Sequence, residues 1–373
     1  MSTVKANNYY DASGGSNAQL YGVASPPSGM GFRNRIINGD MRIDQRNAGA
    51  SVTQDTIGVY PVDRWLAAGT VTSKFTAQQN AGSVTPPDGF RNYLGCTSSS
   101  AYSVLTGDAF WLHQRIEGFN VADLMWGTAN AKTITVSFWV RSSLTGTFGG
   151  SVFNSAANRS YPFTYTISAA NTWEQKTLTI AGDTSGTWLT TNGTGLQLNF
   201  SLGTGSTFSG TAGAWTGSAA YSATGATSVV GTNGATFYIT GVQLEAGTVA
   251  SPFERRDYGR ELMMCQRYYQ KSYNVDVAPG TNTTVGAKTS RIYNTDVYLP
   301  QLETRLLVSM RATPTVTWYT TAGTSGSVNV GVGTNTVNTQ YDAGMNSTGW
   351  LYVNGSVSSG NQITAQFVAS SEL

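Results

Sequence analysis

"TITVSFWV", residues 133–140, sets Ile134, Val136, Phe138 and Val140 in alternation with Thr135, Ser137 and Trp139. Successive side chains of a strand point to opposite faces, so this spacing predicts a strand with one face on a core. Trp139 on the second face means that this face is not simply solvated. The same period recurs at short intervals from "NRIINGDMRIDQRN" onward, in "VDRWLAA", "FWLHQRI", "SVFNS", "YPFTYTIS", "EQKTLTIAG", "LQLNFSLG" and "ATFYITGVQLE". Many short strands separated by Gly and Asn turns, with no helical period between them, predict an all-β sandwich or jelly roll.

One segment breaks the pattern. In "ERRDYGRELMMCQRYYQKS", residues 254–272, Tyr258, Leu262, Cys265 and Tyr269 fall at i, i+4, i+7 and i+11, with Arg255, Arg256, Glu261, Arg267 and Lys271 off that line. A stripe this narrow fits a helical seam between copies of the chain, or a helix lying on a sandwich face as a connector. Strand patterns return beyond it in "TDVYLP", "TPTVTWYTT", "SVNVGVG", "GWLYVNGS" and "NQITAQFVAS", enough for a smaller β domain. Residues 1–33 are polar and punctuated by Gly and Pro. The expected organisation is therefore an arm (1–33), a jelly roll (34–254), a helical neck (255–272) and a distal β domain (273–373).

Only 11% of the 373 residues are charged, while 43 are Gly and 11% are aromatic, so hydroxyls and amides must cover the surface. A net charge of +2 supplies no broad field for a polyanion, and nucleic-acid binding is not expected. No apolar run is long enough to cross a membrane and the first residues carry no apolar leader, so neither insertion nor export is expected. Cys96 and Cys265 stand far apart in unlike contexts and are expected to be free thiols, with no metal and no cofactor.

The segments "RIINGDMRIDQRNAG", "VDRW", "FWLHQRIEG", "TITVSFWVRSS", "WEQKTLTIAGDTSG" and "FYITGVQLEAGTVASPFERRDYGRELMMCQRYYQKS", in this order, resemble bacteriophage and prophage tail-fibre-type proteins. "MSTVKANNYYDASGG" is similar to their N-terminal attachment segments and "FVASSEL" to the ends of their distal domains. The resemblance implies a jelly roll like those of carbohydrate-binding modules, a virion appendage assembled in the host cytoplasm, and a homotrimer whose outer domain meets the host surface. Many such jelly rolls carry acidic residues before "VQLE", where this chain has Thr240 and Gly241, a departure that puts a carried-over structural calcium site in doubt.

Catalysis finds little support in these residues. The single histidine, His113, sits among aromatics and reads as packed, and Glu117, Asp123 and Glu245 read as structural acids. Sugar recognition needs aromatic platforms beside amides and hydroxyls. Trp65, Trp139 and Trp173 fall in strand-like stretches that favour burial, which leaves Trp215 and Tyr221 in a small-residue loop, Trp318 and Tyr319 beside a glycine loop, and the pair Trp350 and Tyr352. Each of these six is a platform or a core plug. In the arm, Lys5, Tyr9 and Tyr10 are the expected contacts with other virion proteins. The expectation is a non-enzymatic appendage that binds host glycan; a polysaccharide-degrading tailspike and a ligand-free structural fibre are the alternatives.

Overall fold

The computed structural model describes residues 32–291, 302–331, 333–338, 348–353 and 360–373. Eleven strands come first: β1 (Val52–Thr53), β2 (Val59–Val62), β3 (Trp65–Gly69), β4 (Phe75–Gln79), β5 (Leu94–Ser98), β6 (Ala109–Glu117), β7 (Ile134–Ser142), β8 (Gly146–Phe153), β9 (Ser160–Ile167), β10 (Glu174–Ile180) and β11 (Thr194–Thr204). A two-residue parallel pair, β12 (Ser209–Gly210) and β13 (Ser222–Ala223), precedes β14 (Thr236–Ala246). The long strands form two six-stranded antiparallel sheets, ordered β1-β4-β5-β14-β7-β10 and β2-β3-β6-β11-β8-β9. They face each other as a sandwich.

The opening stretch explains the core. Ile134, Val136, Phe138 and Val140 on β7 are fully buried, and Phe138 meets Tyr165 and Phe200 of the opposite sheet edge-on at 5.0 and 4.9 Å. On the other side, β14 slips register between Thr240 and Gln243, and Gly241 there takes φ +62°. A Cβ at Gly241 would stand 2.6 Å from the Phe90 ring, so the bulge requires glycine. Thr240 donates to the Asn92 carbonyl at 2.7 Å, a structural role at the position where an acid is absent.

Residues 34–47, where the sequence pattern places the first strands, form no strand. Asn38 (φ +57°) and Met41 (φ +58°) turn the chain, and the Asn38 side chain bonds both backbone groups of Ile43 and the carbonyl of Asp63. Ile36 and Met41 join the sandwich core, while Ile37 and Ile43 face the helix. Apolar residues are buried here without a ladder because an asparagine side chain satisfies the backbone.

Helix α1 spans Tyr258–Gln266, shorter than the expected neck of 255–272. Asp257 caps it by accepting from the Arg260 N–H at 2.9 Å. Strand β15 (Tyr269–Lys271) follows at once, so Tyr269 belongs to a strand, where its aromatic ring and its pairing with Ser370 outweigh another helical turn. Cys265 and Tyr268 are fully buried against Ile37 and Ile43, with Leu262 packed beside them, and Tyr258 is half exposed. Cys265 and Tyr269 of the stripe are thus taken up within their own chain, while Tyr258 stays at the surface.

The remaining strands are β16 (Lys288–Arg291), β17 (Leu302–Arg305), β18 (Thr315–Tyr319), β19 (Ser327–Val330), β20 (Gly333–Asn338), β21 (Thr348–Val353) and β22 (Gln362–Ser370). Strand β22 is the hub, pairing with β15, β16, β18 and β19. Sandwich, helix and distal sheet belong to one unit, residues 34–373. Glu372, just past β22, joins them. Its largely buried carboxylate is held by Arg64 and, at 2.5 Å, by Arg46. Arg64 lies over the Tyr268 ring at 3.5 Å and Arg46 over Tyr269 at 3.7 Å. Arg311 donates to the carbonyls of Ser371 and Glu372, both at 2.9 Å, and Arg115 to that of Leu373.

Removing one member of a buried ion cluster leaves uncompensated charge. Glu372→Ala is expected to lower the unfolding free energy by about 3–5 kcal/mol, read from urea midpoints, with hydrogen exchange rising first in β15 and β22. A loss below about 1 kcal/mol, the size of an exposed pair, would contradict this account of the junction.

Candidate functional site

The outer face of the sheet containing β6 and β11 is unusual. Alternation sends Phe110, Leu112 and Ile116 of β6 and Leu196, Leu198, Phe200 and Leu202 of β11 into the core. It leaves Trp111, His113 and Arg115 on the outer face beside Gln197, Asn199 and Ser201. Register places Asn199 opposite His113 on one side and Ser151 of β8 on the other. Gln197 likewise stands between Arg115 and Phe153, and Ser201 faces Trp111. Direct cross-strand neighbours have Cβ atoms about 4.5–5.5 Å apart, so His113, Asn199 and Ser151 form a contiguous polar row.

The loop between β11 and β14 folds over this row. The Tyr221 ring lies 4.7 Å from Trp111, 5.3 Å from Phe153 and 5.5 Å from Phe208. Asn199 Nδ2 donates to the Tyr221 carbonyl at 2.6 Å and fixes the loop. Trp111, Phe208 and Tyr221 are half-buried; His113, Asn199, Ser151 and Ser222 are buried.

Four buried polar atoms there have no protein partner: His113 Nε2, Asn199 Oδ1, Ser151 Oγ and Ser222 Oγ. The Trp111 indole N–H donates to His113 Nδ1 at 3.1 Å, which puts the imidazole proton on Nε2. Burial, reinforced by Arg115 and Arg64, holds the His113 pKa well below its usual value, so the ring is neutral. The row therefore offers an N–H donor, an amide acceptor and two hydroxyls, framed by aromatic rings. Hydroxyl-rich ligands both donate and accept, and they match such a set.

Trp215 occupies a second aromatic cluster. Its ring meets Tyr161, Trp126 and Trp188 at 5.2, 5.3 and 5.6 Å, and its indole N–H donates to the Ala181 carbonyl at 2.9 Å. Arg159 stands 6.0 Å from that ring while gripping the buried Asp183 through two bonds of 2.7 Å. Trp215 is therefore a half-buried plug. Trp318 is wholly buried: on β18 it faces inward with Val316 and packs against Phe367 at 5.6 Å. It is not a platform. Tyr319, on the opposite face of β18, is half-buried near Tyr273.

Trp350 and Tyr352 lie on β21, but their side chains fall outside the described residues, as do Lys5, Tyr9 and Tyr10. Glu117 accepts from Arg267 at 2.6 and 2.8 Å and from the Tyr268 hydroxyl at 2.7 Å; Asp123 pairs with Arg35, and Glu245 accepts from Gln243 and Ser251. All three acids have packing or turn roles. The residues missed by sequence reasoning are Ser151, Phe153, Asn199 and Phe208. Alternation in "LQLNFSLG" puts Asn199 on the outer face, but only cross-strand register sets it beside His113.

No family model matches the chain, and no curated protein matches it. Among solved structures, 57% of the chain overlaps the enzymatically active domain of tailspike protein 4 of bacteriophage CBA120 at 15% identity and TM-score 0.31, spanning 21% of that chain. A CBM4 structure overlaps 56% of this chain and 98% of its own at 16% identity and TM-score 0.28. The family 11 carbohydrate-binding module of Clostridium thermocellum, in complex with a mixed-linked tetrasaccharide, overlaps 54% and 98% at 9% identity and TM-score 0.28. At these scores the overlaps carry no functional information.

The buried imidazole yields a pH test. In the folded protein His113 stays neutral, whereas the unfolded chain takes up a proton below about pH 6.5, so stability falls on acidification through that value by up to about 1.4 kcal/mol per pH unit. Asp63, its carboxyl raised to about 6 mainly by burial, acts in the opposite sense between its unfolded value and 6. The difference between wild type and His113→Gln in urea midpoints at pH 7.5 and 5.5 isolates the histidine: the variant is expected to lose less stability on acidification.

Proposed function

We propose that this chain is a non-enzymatic virion appendage protein that attaches to host-surface polysaccharide through the outer face around Trp111, His113, Asn199 and Tyr221. One observation carries the sugar-binding part: buried donors and acceptors without protein partners lie directly beside aromatic rings. A pyranose stacks its apolar face on such rings while its hydroxyls meet the polar atoms. Each unmet buried polar group costs about 1–3 kcal/mol, a cost that ligand hydroxyls recover once the Tyr221 loop, which covers these atoms, moves aside.

The appendage part is supported by the tail-fibre-like segments of the sequence, from "RIINGDMRIDQRNAG" to "MMCQRYYQKS". In this reading the protein is assembled in the host cytoplasm and carried on the virion, with residues 1–33 meeting other virion proteins. A homotrimer presents three faces together, so weak sugar contacts add as intramolecular events. The structural bonds of Glu117, Asp123 and Glu245 support a binding role over glycan cleavage.

Two measurements test the proposal. Light scattering on the full chain is expected to return three times the 39.5 kDa chain mass. Trp111→Ala is expected to weaken binding to purified host-surface polysaccharide about tenfold while leaving the thermal midpoint within a few degrees. Release of new reducing ends from that polysaccharide, or full binding by the variant, would overturn it.

A further inference from the structure

A cleft of about 480 Å3 lies away from the outer face, walled by α1, β15, the turn that follows β15, β16, β17 and β22. Its volume lies in the range of small-molecule sites, roughly 300–1,000 Å3. The chain as a whole is sparsely charged, yet Lys271, Lys288 and Arg305 all line this cleft against the single carboxylate of Asp276. None of the three cations forms an ion pair among the described residues.

Lys271 is the most constrained of the three. Its side chain is buried, and its ammonium donates to the carbonyls of Val275 and Val277 at 2.9 and 2.6 Å. Burial pushes its pKa down to about 8, a penalty that Asp63, Asp44 and Asp276 only partly offset. An anion brought into the cleft favours the charged ammonium and removes part of that penalty. Lys288 and Arg305 are exposed at the mouth. Tyr273 and Phe367 supply buried apolar wall, and Gln266 an amide.

We infer that this cleft is an acidic-saccharide site, in which a uronate-type carboxylate sits among Lys271, Lys288 and Arg305 while the sugar ring lies along Tyr273 and Phe367. Ammonium and guanidinium donors form charge-assisted bonds with a carboxylate, and the amide and ring walls suit the rest of a sugar. The inference rests on the reading of the protein as a polysaccharide binder and names the class of polysaccharide. It also gives the junction between sandwich and distal sheet a ligand of its own, separate from the outer face.

The test uses the full chain and an immobilised panel of bacterial surface polysaccharides, part of it uronate-containing and part uncharged, together with carboxyl-reduced forms of the acidic members. Wild type is expected to prefer the uronate-containing members and to lose that preference on their reduced forms. The double variant Lys288→Gln/Arg305→Gln changes only exposed side chains, so folding is preserved; it is expected to weaken acidic binding at least about tenfold and leave uncharged binding unchanged. Binding of uncharged members alone, or acidic binding indifferent to the double variant, overturns the cleft and leaves the outer face standing. No binding to any member, acidic or uncharged, overturns both.

Discussion

The carboxylate of Glu372, enclosed by Arg46 and Arg64, is the contact on which the arrangement of the other parts depends. Strand β22 holds the distal sheet together and leads directly into this residue. Two guanidinium planes stacked on Tyr268 and Tyr269 bind the same carboxylate, so the end of the helix, the start of the distal sheet and the sandwich share one buried cluster. Charge of this kind is costly to bury and is stable only when every member is engaged. The engagement is extensive: Arg311 and Arg115 reach the backbone carbonyls beside Glu372, and Glu117 takes up Arg267 and the Tyr268 hydroxyl. A chain with few charges has concentrated many of them here.

The outer face follows a different logic. The sandwich core is apolar and closed, with Trp65, Phe75, Phe110, Phe138, Phe148 and Phe200 fully buried. That stability allows β6, β8 and β11 to carry His113, Ser151 and Asn199 outward with incomplete hydrogen bonding. A rigid sheet keeps them aligned, and the loop bearing Tyr221 sets the ring geometry above them.

Much of the architecture is legible in the sequence, and the reasons for the exceptions are physical. Period-2 alternation identifies β6, β7, β9, β11 and β14, because each turns one apolar face into the sandwich core. It fails at residues 34–47, where Ile36, Ile37, Met41 and Ile43 are buried in an irregular path stabilised by the Asn38 side chain, a solution that leaves no periodic trace. It fails again at Tyr269, whose helical spacing is overridden by pairing with β22. Trp318 shows the limit for sites: a tryptophan beside a glycine loop has the same local sequence whether its ring points in or out, and only the strand's orientation on Phe367 decides. His113 reads correctly as packed, while its neighbours Asn199 and Ser151 come from strands distant in sequence.

The position of β22 also bears on the order in which the molecule comes into being. Among the described residues, strand β15 leaves the helix and pairs only with β22, at the other end of the distal segment, and the Arg267 carbonyl accepts from the Ser371 hydroxyl across 104 residues. During synthesis the two sandwich sheets are complete once β14 has emerged, whereas Tyr268, Tyr269 and the arginines beneath them must wait until residue 372 has been added. The part of the distal sheet built on β22, with β15, β16, β18 and β19, cannot assemble progressively behind the ribosome. Its non-local pairing makes it the slow element of folding, and for that interval an unpaired strand edge and a bare cationic pocket are exposed to neighbouring chains.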